Sequence, residues 1–144
     1  MDTFTYVEDA KITTEIPIEE AQALYIEKWA SLAQQQQKKW NIPASITLAQ
    51  GLLESSAGKS PLAQQNNNHF GIKCFSSNCK KGHCSNFTDD SHKDFFRIFK
   101  SVEESFDAHA QVLQKDRYQK AFKCQNVECW ATALKEAGYA TDPA

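Results

Sequence analysis

The chain has 144 residues, 24% of them charged, and a formal net charge of −2. This is the length of one ordinary domain, so we expect a single unit over residues 1–144, with an extended segment at 1–16 and the folded core at 17–144. The slightly acidic balance argues against a nucleic-acid partner, because phosphate binding needs clustered Lys and Arg. No window approaches the about 20 apolar residues of a membrane span, and the first residues lack the pattern of a signal peptide.

Helical periodicity dominates the first half of the chain. Residues 17–39 place apolar side chains on one stripe, with Glu19 and Glu20 near the start, which predicts an amphipathic surface helix. A second helix is predicted over 43–56, with Gly58 as its left-handed C-terminal residue. Its apolar residues surround the helix axis, so we expect this helix to be buried. Proline and three successive asparagines in 61–68 predict a loop.

The second half of the chain combines a small β element with two helices. The segments CSNFT and FFRIF flank the polar stretch DDSHKD, which predicts a β-hairpin with a long turn. Ser101 and Glu104 have the spacing of a capping box and predict a helix start. A last helix is expected over 127–137, ending at Gly138. The predicted fold class is therefore α+β, mainly α.

The five cysteines form two runs with five-residue steps, Cys74, Cys79 and Cys84, then Cys124 and Cys129. Two short-range disulfides and one free thiol fit this count, and Cys74, which follows an apolar run, is the expected free thiol. A zinc site built from Cys79, His83, Cys84 and one further cysteine is the competing hypothesis. The gaps are wider than in most zinc knuckles, so we expect no metal and no other cofactor, and disulfides or plain free thiols remain as the alternatives.

Glu54 closes the apolar run of the second helix. At a helix C-terminus the dipole and apolar surroundings both disfavour ionisation, and a carboxyl that stays protonated can serve as the general acid of a glycosidase. Gln50, four residues earlier, lies on the same helix face. The alternative is that Glu54 points to solvent beyond the helix end. His69 is expected to be packed or partly exposed, and His109 is expected to be a packed core histidine.

Residues 40–74, WNIPASITLAQGLLESSAGKSPLAQQNNNHFGIKC, resemble the bacterial glucosaminidases of glycoside hydrolase family 73. The shared pattern is a proline, a helix ending in Ala-Gln-x-x-Leu-Glu-Ser, then Gly-Lys-Ser, then an Asn-rich turn into Phe-Gly-Ile-Lys. The likeness covers about residues 29–143. It implies a lysozyme-like fold with a β-hairpin lobe beside a cleft, and an endo-β-N-acetylglucosaminidase that cleaves the β-1,4 glycan of peptidoglycan.

The resemblance implies that Glu54 is the general acid and that Tyr139, in AGYATD, lies beside it. For Phe70 and Tyr118, core packing is an equally good interpretation, and a buried aromatic at a helix end is the alternative for Tyr139. The residues expected to line the cleft are Gln50, Asn68, Phe70, Tyr118 and Thr141.

The second carboxylate departs from the family pattern. Relatives commonly carry a glutamate in the hairpin, whereas this chain has Asp89, Asp90 and Asp94. Asp90 and Asp94 are the preferred candidates for activating water in an inverting mechanism, although turn chemistry explains the same aspartates. Alternatively, the N-acetyl group of the substrate acts as the nucleophile, and no second carboxylate is needed.

Alternative functions on the same residues are a lytic transglycosylase or muramidase, and a non-catalytic module that binds glycan or cell wall. The expected partner is the peptidoglycan glycan strand, and we expect a monomer. A cognate immunity protein is expected if the chain is a secreted antibacterial effector. Because peptidoglycan lies outside the cytoplasm, action in the periplasm or outside the cell is predicted, by an export route that the sequence does not identify.

Overall fold

The computed structural model describes the backbone of residues 3–8, 12–74, 84–86 and 95–139, and the side chains of 19–74 and 95–139. The chain starts with two antiparallel strands, β1 (Thr3–Glu8) and β2 (Ile12–Pro17), in a register that places Thr3 opposite Pro17. The extended N-terminal segment predicted from the sequence is therefore a hairpin whose second strand leads directly into the first helix.

Helices make up most of the rest of the described chain, as the sequence predicted. They are α1 (Ile18–Trp40), α2 (Ala44–Glu54), α3 (Pro61–Asn66), α4 (Val102–Val112), a 3-10 helix (Asp116–Lys123) and α5 (Val127–Glu136). Within the described residues, none of these helices is long and apolar enough to span a membrane.

The β-hairpin predicted from CSNFT and FFRIF is confirmed. Strand β3 (Cys84–Asn86) pairs antiparallel with β4 (Phe95–Arg97), and Ser85 lies opposite Phe96. The segment before β3 also bonds to β4, because the Cys74 amide donates to the Phe95 carbonyl at 2.8 Å and the Arg97 amide donates to the Ile72 carbonyl at 3.0 Å. The hairpin is thus attached through β4 to the segment that follows α3.

The prediction of a loop over 61–68 is wrong for the first six of these residues, which form α3. Ser60 caps this helix, since its Oγ accepts from the Ala63 amide at 3.1 Å. Pro61 occupies the first turn, where a backbone N–H would have no acceptor within the helix, so its absence costs nothing. The asparagines act at the end of the helix. Asn67 adopts the left-handed conformation, with φ of 54°, that stops it.

Both later helices start as predicted. Ser101 Oγ accepts from the Glu104 amide at 3.3 Å, and the Glu104 carboxylate accepts from the Lys100 amide at 3.0 Å. Asn126 caps α5 by accepting from the Cys129 amide at 2.8 Å. These bonds pair amide donors that a helix N-terminus otherwise leaves unsatisfied.

Helix α2 is not buried all round, which corrects the prediction. Its buried residues are Ile46, Thr47 and Gly51, whereas Leu53 is 72% exposed. The helix packs against α1 and α5. The apolar periodicity of a sequence indicates which faces of a helix are apolar, but it does not indicate which of those faces a neighbouring element covers. One cluster of the core lies under α2, α4 and α5, and its buried members are Ile42, Ile46, Ala110, Leu113, Tyr118, Ala121, Trp130 and Leu134.

The cysteine predictions have mixed outcomes. Cys124 and Cys129 form the expected disulfide, with Cα atoms 5.6 Å apart, joining the end of the 3-10 helix to the first turn of α5. Cys74 is disulfide-bonded as well, so the expectation that it is the free thiol is wrong. Spacing along the chain could not show that Cys74 lies beside the hairpin. Three residues of the proposed zinc site, Cys79, His83 and the Cys84 side chain, lie outside the described side chains.

Candidate active site

Glu54 is the last residue of α2, and the turn behind it is tightly built. Ser55 is buried, and its Oγ donates to the Gly51 carbonyl at 2.6 Å and accepts from the Gly58 amide at 2.8 Å. Ser56, Ala57 and Gly58 then have φ values of 51°, 55° and 80°. Three successive left-handed residues cannot continue a right-handed helix, so α2 stops at Glu54.

The side chain of Glu54 is exposed, whereas the sequence predicted a carboxyl in apolar surroundings. At the end of α2, Gly51 and Ser55 are buried, whereas Leu53 and Glu54 are exposed. Gly71, at φ of 62°, lies next to it, and a Cβ at this position would stand 3.6 Å from Glu54 Oε2. Gly71 therefore leaves space around the carboxylate.

Tyr139 is half-buried and lies close enough to Glu54 to be affected by its charge. Burial, followed by the negative charge of Glu54 and then by Tyr118, raises the pKa of Tyr139 well above its ordinary value. The phenol is therefore protonated and able to donate a hydrogen bond. Gly138, at φ of 90°, turns the chain so that Tyr139 packs back on the core beyond α5. We refer to Gln50, Glu54, Gly71 and Tyr139 as the Glu54 surface.

A buried histidine lies beneath the Glu54 surface. His109 of α4 is fully buried, and its Nε2 lies 2.6 Å from Gln50 Oε1. Its ring stacks on Phe70 at a centroid distance of 4.1 Å and meets Tyr139 edge-on at 6.0 Å. The sequence placed His109 in the core, but it did not show the bond to Gln50. The only signal was a histidine three residues from Phe106 on an apolar helix face.

Three residues expected in the cleft lie inside the protein and support the site from below. Asn68 is 1% exposed, and its amide bonds the Ile72 backbone and the Arg97 carbonyl, each at 3.0 Å. Phe70 packs between His109 and Phe106. Tyr118 is part of the core and meets Tyr139 edge-on. This burial favours the core-packing interpretation for Phe70 and Tyr118, and glycan contact by the three residues stays a prediction.

Helix α1 packs against α2, and its Tyr25 lies at the contact. Tyr25 Oη lies 2.8 Å from His69 Nδ1, and the two rings stack at 5.6 Å. Burial, followed by the charge of Lys28, lowers the pKa of His69 to about 4. Gly51 permits this packing, because a Cβ there would stand 2.6 Å from Tyr25 Oη and 3.2 Å from two Phe70 ring carbons. Tyr25 and His69 also line a cavity of about 660 Å³, whose lining does not include Glu54.

The structure thus brings together Glu54, Tyr139 and Gln50, which the sequence predicted as site residues. Asp90, Asp94 and Thr141 lie outside the described residues, and their roles stay predictions. Among the side chains that the structure describes, no cluster of His, Cys, Asp and Glu could hold a metal ion.

Solved glycoside hydrolases share this architecture. The glycoside hydrolase domain of FlgJ from Salmonella typhimurium is 28% identical, with a TM-score of 0.66, over 85% of this chain and 79% of that one. The catalytic domain of the autolysin Auto from Listeria monocytogenes is 25% identical, with a TM-score of 0.72, over 92% of this chain and 81% of that one. The fold is therefore that of the lysozyme-like glycoside hydrolases.

Sequence comparison identifies the family within this class. Residues 30–144 match the glucosaminidase family model, described as mannosyl-glycoprotein endo-beta-N-acetylglucosaminidase. The chain belongs to this glucosaminidase family, glycoside hydrolase family 73. The exo-glucosaminidase LytG of Bacillus subtilis is 36% identical over 95% of this chain. The chain spans about half of the length of LytG, 51%.

Proposed function

We propose that this chain is a peptidoglycan hydrolase that cleaves the β-1,4 glycan backbone as an endo-β-N-acetylglucosaminidase, with Glu54 as the general acid. One observation carries the proposal. In a chain of this family, the carboxylate that ends α2 stands on an exposed surface, close enough to Tyr139 for its charge to raise the pKa of the phenol. The exposed carboxyl of Glu54 is accessible to a glycan strand from solvent.

In the proposed reaction, Glu54 in its protonated form donates to the oxygen that leaves the cleaved bond. The protonated hydroxyl of Tyr139 donates a hydrogen bond within the same surface and holds either the carboxyl or the bound sugar in place. Water attacks the sugar from the opposite side, activated by Asp90 or Asp94. The alternative is that the acetamido group of the substrate takes the role of that second carboxylate.

The test is digestion of purified peptidoglycan by the wild-type chain and by Glu54→Gln, followed by mass spectrometry of the products. We expect Glu54→Gln to lose at least about 100-fold in rate, because general-acid catalysis contributes that much or more. Glu103→Gln, an exposed glutamate in the first turn of α4, is the matched control and should retain activity. Equal activity in the wild-type chain and Glu54→Gln would refute the role of Glu54.

The same products separate the alternative activities. Hydrolysis adds water and leaves a reducing sugar, whereas a lytic transglycosylase forms an anhydro ring, and a muramidase leaves N-acetylmuramic acid at the new reducing end. Release of terminal sugars one at a time would indicate the exo activity named for LytG. A non-catalytic module would cosediment with peptidoglycan and release nothing, for the wild-type chain and Glu54→Gln alike.

The remaining expectations belong to the same proposal. The chain acts as a single unit and a monomer on peptidoglycan strands, in the periplasm or outside the cell. If it serves as an antibacterial effector, a cognate immunity protein covers the Glu54 surface. Light scattering tests the monomer, and protection of cells by a co-expressed candidate inhibitor that binds the wild-type chain tests the immunity protein.

A further inference from the structure

The contact between His109 and Gln50 joins the core to the Glu54 surface. His109 has no exposed surface, and its two ring nitrogens differ in their surroundings. Nε2 lies 2.6 Å from Gln50 Oε1, whereas Nδ1 is buried and has no hydrogen-bond partner among the described residues. Complete burial lowers the pKa of His109 to about 3, so the ring is neutral and carries one proton at working pH.

The position of that proton follows from the unequal surroundings of the two nitrogens. A proton on Nδ1 would leave a buried N–H donor unpaired, which is costly. A proton on Nε2 donates to Gln50 Oε1 and leaves only a lone pair unsatisfied on Nδ1. The stacked ring of Phe70 at 4.1 Å and the edge contact with Tyr139 at 6.0 Å hold the imidazole plane in place.

This bond decides which end of the Gln50 carboxamide faces outward. Because Oε1 is engaged by His109, the NH₂ group is directed away from the core. Gln50 is half-buried and lies one turn before Glu54 on the same face of α2. With the amide reversed, a carbonyl oxygen would face outward instead, and it could accept from a sugar hydroxyl but could not donate to a sugar carbonyl.

We propose that His109 is a positioning residue that fixes the carboxamide of Gln50, so that its NH₂ group binds a carbonyl or hydroxyl oxygen of the glycan beside Glu54. The inference rests on the proposed function, since it assigns the sugar contact of the same surface. The acetamido carbonyl of N-acetylglucosamine is the acceptor that best suits an amide donor, because it is a strong acceptor with no competing donor on the same atom.

The test compares two His109 variants on soluble, uncrosslinked glycan strands. His109→Leu removes the donor, and we expect KM to rise about tenfold, the equivalent of one hydrogen bond, while kcat changes much less. His109→Gln keeps an N–H donor near the position of Nε2 and should recover most of the loss. Gln50→Leu should match His109→Leu. The double variant should be no worse than either single variant, because both remove the same contact.

A spectroscopic measurement tests the positioning without activity or substitution. In the wild-type chain labelled with ¹⁵N, the His109 ring should carry its proton on Nε2, and this signal should not titrate between pH 8 and pH 5. A proton on Nδ1, additive effects of His109→Leu and Gln50→Leu, or wild-type KM in His109→Leu would each overturn the inference. A wild-type chain that releases no products would refute the proposed function instead, while the ring spectrum still decides the tautomer.

Discussion

Gly51 is the position at which the packing around α2 makes the sharpest prediction. In an exposed helix interior, Gly→Ala stabilises by about 1 kcal/mol. At Gly51 the new Cβ would stand 2.6 Å from Tyr25 Oη, closer than non-bonded atoms allow, and 3.2 Å from two Phe70 ring carbons. The Tyr25 hydroxyl cannot move freely, because it lies at hydrogen-bond distance, 2.8 Å, from His69 Nδ1.

The magnitude follows from these contacts. Displacing the hydroxyl weakens a buried hydrogen bond worth about 1 kcal/mol, and overpacking adds about 1–3 kcal/mol. After the helix-propensity gain is subtracted, Gly51→Ala should lower the free energy of unfolding by about 2 kcal/mol, which corresponds to roughly 6–8 °C in Tm. Chemical denaturation and thermal melting measure both quantities.

Tyr25→Phe provides the matched background for this substitution. It removes the oxygen that the new Cβ would meet, so Gly51→Ala in Tyr25→Phe should cost less than about 1 kcal/mol, with only the Phe70 contact left to relax. The reasoning would be refuted by a stabilising Gly51→Ala, or by an equal loss in the two backgrounds.

Three further predictions concern stability. Asn126→Ala should lower the free energy of unfolding, measured with urea, by about 1 kcal/mol, because it removes the cap on the Cys129 amide. Asn126→Ser should retain most of this stability, because serine also caps helices. Replacing Cys124 and Cys129 together by Ser should lower the free energy of unfolding by about 2 kcal/mol, the value for so short a loop, and an unchanged midpoint would contradict this. His69 and His109, with pKa values lowered to about 4 and about 3, are neutral when folded, whereas the unfolded chain binds protons below about pH 6.5. Stability present above pH 6.5 should therefore fall toward pH 4, by up to about 1.4 kcal/mol per pH unit for each histidine, and equal stability at pH 7 and pH 5 would contradict this.

Local signals in the sequence predicted most of the helices. The apolar stripe of α1, the Ser101–Glu104 cap of α4 and the Gly138 stop after α5 depend on residues within one or two turns of each other, and the structure has all three. Helix α3 was missed because the three asparagines outweighed the Ser60 cap and Pro61 in the prediction. Two of those asparagines lie after the helix, as their turn preference suggests.

The surroundings of each element could not be predicted in the same way. Leu53 looks like a core residue by periodicity, yet it is exposed because no described element covers that face of α2. Cys74 looks isolated at the end of an apolar run, yet it is bonded. Whether a side chain is covered depends on contacts between segments that are distant in the sequence. Local patterns in a single sequence do not predict such contacts.

The candidate site shows the same division. Glu54 and Gln50 are four residues apart on one helix, so their shared face was predictable, and the family resemblance supplied Tyr139 as a neighbour. The bond from His109 to Gln50 joins residues that are 59 positions apart. Nothing in the local pattern around His109 distinguishes it from a histidine that only fills space.

The left-handed turn of Ser56, Ala57 and Gly58 has a consequence for how this chain can change. Left-handed backbone is unfavourable at the two residues that are not glycine, and this strain lies directly behind the carboxylate. Substitutions that relax the turn would therefore raise thermal resistance and shift the end of α2 in the same step. Selection for heat tolerance alone should accumulate substitutions at this turn and lower the activity proposed for the Glu54 surface, so stability and activity need to be screened together.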